Sequence, residues 1–154
     1  MPSIRLAAAA LAACAALALV ACGGDTEEKN DYVDAVNEVT STLQTGLNEV
    51  SSQGTSTGAP ADVSRLYQDF SQQVEAASTD LSEIQPPEDV TDQHDRLVSV
   101  LDELSAEAEN AADEVAAGGA ASMVGVATQF VGDATSLGSE ADQIISEINS
   151  KLQE

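Results

Sequence analysis

The sequence predicts an all-α protein, an antiparallel up-down-up-down four-helix bundle behind a cleaved signal peptide. Three observations carry that prediction. From Tyr32 onward the apolar residues recur in steps of three and four, the spacing that gathers side chains on one face of a helix. The recurrence breaks at three places, each marked by Gly, Pro, Ser or Thr. No segment alternates apolar and polar residues with period two, and the Val, Ile and aromatic clusters of strands are missing.

The first helix is expected over about 27–52, with the stripe Tyr32, Val36, Val39, Leu43, Leu47 and Val50. Thr26 can cap it, and acidic residues in its first turn complement the helix dipole. The run from Gln53 to Pro60 ends it. The second is expected over about 62–84, with Val63, Leu66, Phe70, Val74, Ala77, Leu81 and Ile84 on one face and Tyr67 beside them. Pro86-Pro87 stops it, because proline lacks an amide donor and disfavours helix in the residue before it, so Gln85 should leave the helix.

Pro87, Glu88 and Asp89 then open a third helix over about 88–117, whose stripe is Val90, His94, Leu97, Leu101, Leu104, Ala108, Ala111 and Val115. Gly118-Gly119 closes it. The fourth, about 120–152, is the most regular: Met123, Ala127, Phe130, Ala134, Leu137, Ala141, Ile144, Ile148 and Leu152. A near 3.5-residue repeat of this kind suits coiled-coil-like packing. Similar lengths and short connections favour the up-down-up-down bundle over 31–154. A long three-helix arrangement with the first helix loosely attached is the alternative. Few aromatics and many stripe alanines predict a thin, closely packed core without a large internal cavity.

The uncharged run Leu6 to Ala21 follows a short segment with one cation, Arg5, and is too short and too alanine-rich for a comfortable membrane span. It ends in Leu19-Val20-Ala21-Cys22. This leader resembles the signal peptide and lipobox of bacterial lipoproteins. The resemblance implies cleavage after residue 21, diacylglycerol on the Cys22 sulfur, in some hosts a further N-acyl chain, and placement on the extracytoplasmic face of a membrane. Outer-membrane sorting stays open for a two-membrane host. Residues 22–30 would form the lipid anchor and tether, with a reach of about 15 to 25 Å. Cys14 lies in the leader, so the exported chain would have no cysteine free for a disulfide.

Downstream of the leader, 27 acidic residues stand against Lys29, Arg65, Arg96 and Lys151. Nucleic acid is excluded as a partner, since phosphate binding depends on basic residues releasing counterions. Anionic headgroups would also repel this domain, so the lipid on Cys22 is its expected membrane contact.

Catalysis is not expected. Beyond the leader there is one histidine and no free cysteine, no Glu-x-x-His pair, no phosphate-binding Gly loop and no calcium loop. No metal and no cofactor beyond the covalent lipid is expected. His94 lies on the third stripe with Asp92 and Asp95 nearby, either as a satisfied core histidine or as a pH-sensitive lock between helices. The segment from Pro86-Pro87 through His94 to Leu97 resembles one in uncharacterised small helical lipoproteins of high-GC Gram-positive bacteria, and that resemblance implies no activity.

Acidic charge avoids one stretch. From Val115 to Gly132 there is no charged residue. With Met123, Ala127 and Phe130 facing inward, Gly118, Ala121, Gly125, Thr128, Gly132 and Ser139 fall on the outward face. Glycine in an exposed helix costs about 1 kcal/mol relative to alanine. Either a helix end tolerates that cost, or the smooth face admits a protein partner or a second copy. The sequence therefore predicts a non-catalytic interaction or structural module of the cell envelope. A binding module for cationic or divalent ligands, using the acidic faces, is the alternative.

Overall fold

A computed structural model of the chain describes residues 26–53 and 58–153. The leader, Cys22 and residues 54–57 lie outside the described residues, which are mostly helical and contain no strand. Four helices pack against one another: α1 Thr26–Gln53, α2 Pro60–Ser82, α3 Thr91–Gly118 and α4 Met123–Leu152. Short 3-10 turns, Glu88–Val90 and Gly119–Ala121, precede α3 and α4.

The helix ends fall within three residues of expectation, and the end of α4 at Leu152 coincides with it; the differences have local causes. α1 already includes Thr26, so the expected tether is helical from that residue onward. α2 begins at Pro60, two residues early, because proline's fixed φ and missing amide suit the first helical position. The Asp62 and Val63 amides donate to the Ala59 carbonyl at 2.9 and 3.2 Å. α2 stops at Ser82, where the chain tightens and the Ile84 amide donates to Leu81 ahead of the two prolines.

Residues 88–90 do not open α3 directly. Val90, at φ −120° and ψ 10°, divides their tighter turn from the α-helix. Gly119 ends α3 at φ +58°, a conformation that side chains rarely adopt. Its turn delays α4 to Met123 instead of residue 120.

α2 and α3 form the closest seam. Ser64 Oγ donates to the Ala112 carbonyl at 2.9 Å, Ser71 and Ser105 hydroxyls meet at 3.0 Å, and Ser78 Oγ donates to Asp102 at 2.6 Å. Phe130 of α4 reaches α2 edge-on, with its ring centre 5.0 Å from Tyr67 and 5.9 Å from Phe70. α1 lies along α2, with Gly46 against the Phe70 ring; a methyl there would stand 2.6 Å from a ring carbon. α1 meets α4 at few points.

The core is therefore not closed all round. Between α1 and α4 runs a cleft of about 50 Å³, floored by Leu97, Leu101 and Leu104 of α3. Leu43 and Leu47, which share a stripe with buried Val36 and Val39, are only half-buried on its wall.

Candidate functional site

Two places gather the residues that sequence singled out. The first is where α1 and α3 begin. The 3-10 turn after Pro87 sets the phase of α3 so that His94, one turn in, faces the interior and is only 4% exposed. Tyr32 of α1 is 1% exposed and brings its hydroxyl to 3.3 Å from His94 Nδ1, with the rings tilted at 49°.

Burial, with the Asp95 charge as the lesser cause, pushes the Tyr32 phenol up to about 12. It stays protonated and can donate. Burial also lowers the His94 pKa, opposed by Asp95, which raises it. A neutral imidazole accepting at Nδ1 satisfies both groups, with its proton then on Nε2.

Around this pair α4 is fastened to the start of α3. Arg96 Nη1 donates to Glu147 Oε2 at 2.9 Å, and Lys151 Nζ donates to the Asp89 carbonyl at 2.9 Å. Gln93 Nε2 stands 3.5 Å from the same Glu147 oxygen, while its own Oε1 is buried without a hydrogen-bond partner. The arrangement can take up one proton at a buried place. Among the described residues, no three His, Cys, Asp or Glu side chains converge as metal ligands.

The second place is the outward face of α4. Gly125, Thr128 and Gly132 are exposed there, and a methyl added at either glycine would meet nothing within 4 Å. Gly118 and Ala121 are exposed but precede α4, Gly118 ending α3 and Ala121 ending the 3-10 turn, and a Gly118 side chain would strike Ser122. Thr128 Oγ1 donates to its own helix, at the Val124 carbonyl.

Sequence reasoning passed over Val124 and Val131, which are 73% and 42% exposed and complete this face. Their seven-residue spacing beside Gly125 and Gly132 was a usable signal. Tyr32 as the partner of His94 was also missed, since no local spacing joins residues 62 apart. Cys22 lies outside the described residues. Among the described residues no helix is long and apolar enough to cross a membrane. No family model matches this chain, and neither a curated protein nor a solved structure matches it significantly.

Proposed function

We propose that this protein is a lipid-anchored, extracytoplasmic, non-catalytic interaction or structural module of the cell envelope, built as an antiparallel up-down-up-down bundle. The observation that carries the interaction reading is the outward face of α4. It belongs to the stretch from Val115 to Gly132, which has no charged residue in a chain of net charge −22, and it carries two exposed valines and two glycines over open space. Such a face gains from burial against a partner and loses little by desolvation.

Support for the topology comes from the hydrogen-bonded pairs of α2 and α3, which descend in α3 from Ala112 to Asp102 as they ascend in α2 from Ser64 to Ser78. Support for anchoring comes from the leader and from the start of α1 only four residues after Cys22. The chain direction would then put the Tyr32 end near the membrane and the neutral face away from it.

Replacing Cys22 by Ala should move the protein out of the membrane fraction or leave the precursor uncleaved; an unchanged lipid-labelled band sinks the anchoring. A folded Gly125→Glu, Gly132→Glu variant should lose partner recovery from cross-linked envelopes, and unchanged recovery removes the face. A second reading, binding of cationic or divalent ligands, is favoured by the excess of 27 acidic residues over five cations. Millimolar calcium should then raise the melting temperature, and an indifferent melt counts against it.

A further inference from the structure

We propose that the buried contact between Tyr32 and His94 is a pH-sensitive latch, which holds the first part of α1 against α3 and releases it when His94 takes up a proton. The latch stands on geometry separate from the α4 face and does not depend on the interaction reading.

α1 is the helix with the least to hold it. It lies along α2, meets α4 at few points and is flanked by an apolar cleft. α2, α3 and α4 are cross-linked by the buried serines, the Phe130 cluster, the Arg96–Glu147 pair and the Lys151 bond to Asp89. Among the described residues, α1 reaches α3 at its N-terminal end through one polar side-chain contact, Tyr32 to His94 at 3.3 Å.

Protonation fills Nδ1. The phenol can then only accept at this contact, and its own proton, which it retains until about pH 12, loses the imidazole as acceptor. An imidazolium would also be left almost without water, and an isolated buried charge is costly. Exposing the ring relieves that cost, and the element that moves with least loss is α1.

The groups around His94 set the sign. Asp95 of α3 is the carboxylate whose charge acts on it, and it only partly offsets burial. From α1 comes Tyr32, with Asp31 and Asp34 exposed and Lys29 half-buried nearby. From α4, Glu147 and Lys151 are committed to Arg96 and the Asp89 carbonyl. α2 ends at this level with buried Leu81 and half-buried Ile84, its Asp80 and the following Glu83 being exposed.

His94 therefore binds a proton less readily with α1 docked than with α1 released, where the ordinary value of about 6.5 applies. A lowered docked value means that docking is fully favoured above about pH 6.5 and weakens as pH falls below it. Acid works the other way on the whole chain, since neutralising carboxylates relieves the self-repulsion of a net charge of −22. The signature of the latch is thus local loosening of α1 against an unchanged or tightened remainder.

Amide hydrogen exchange of the full chain in detergent micelles, at pH 7.5 and 5.5 and corrected for intrinsic rates, reads this directly. α1 should lose protection at pH 5.5 relative to α2, α3 and α4, by up to about tenfold. In His94→Phe, or His94→Gln where the larger ring disturbs folding, that selective loss should vanish. Tyr32→Phe should loosen α1 at both pH values and reduce the loss at pH 5.5 to the part that burial of the imidazolium alone drives. Equal protection of α1 at both pH values, the same loss in the His94 variants, or loss in all four helices together overturns the latch.

Discussion

Along the seam between α2 and α3 the residues that face one another are short: Ser64, Ser71 and Ser78 against Ala112, Ser105 and Asp102. Across the cleft between α1 and α4, the long, branched Leu43 and Leu47 stand against Leu137 and Ile145, with Gly138 and Ala141 on the same α4 wall. The short residues let two backbones come close, and closeness removes water from hydroxyls that must then bond across the seam. The long residues reach into the cleft and leave part of their surface in water. Bulk of apolar side chain is therefore a poor measure of how firmly a helix is held here. The two helices bridged by short, hydrogen-bonded residues share the closest seam.

Enlarging a residue on the seam should break this contrast most. Ala108 is fully buried on α3 between Ser105 and Ala112, and Ala108→Leu should cost about 3 kcal/mol by overpacking, read as a lower urea midpoint. A loss below about 1 kcal/mol would show a looser seam than described.

Alkali tests the N-terminal end of α1. The Tyr32 phenol ionises near 10 in an unfolded chain and at about 12 when folded. A raised folded value gives a contribution fully present below pH 10 and lost as pH rises through 12, on the order of 2 kcal/mol. Tyr32→Phe should flatten most of that decline, leaving the smaller share of buried Tyr67, whose phenol is also pushed up by burial.

On the open side, Leu43→Ala should cost about 1.5 kcal/mol, below the range for a fully buried leucine, because part of the side chain already meets water. A loss as large as that of Leu101→Ala would mean that the cleft closes in solution. Ser71→Ala should cost about 1 kcal/mol. Ser105 still donates to the Ser71 carbonyl at 3.1 Å, so no backbone acceptor is orphaned. Smallest is Arg96→Gln at roughly 0.3 kcal/mol, since both members of its pair are nearly half exposed and water screens them. Thermal melts of the set at one pH check the order as well as the sizes.

The stripe of α4 was legible because Met123, Phe130, Ile144, Ile148 and Leu152 are large, apolar and evenly spaced, and each is buried. Leu43 and Leu47 looked equivalent in α1 and are not, because periodicity reports a face and not what covers it. Ser64, Ser71 and Ser78 recur every seven residues, yet a search for apolar stripes passes over them. Gly46 carries no sign in the sequence that a Phe70 ring lies against it. At the candidate sites the glycines of α4 were visible as an absence of charge, whereas the partner of His94 was not visible at all.

By itself the sequence determined the helical class, the number of helices and their breaks, since spacing, proline and glycine act within a few residues. It also determined the charge that makes the face from Val115 to Gly132 exceptional. Only the tertiary structure decided which stripes meet closely, which wall stays half open and that Tyr32 closes over His94. Those outcomes depend on side chains far apart in the chain competing for the same space, and no local pattern records that competition.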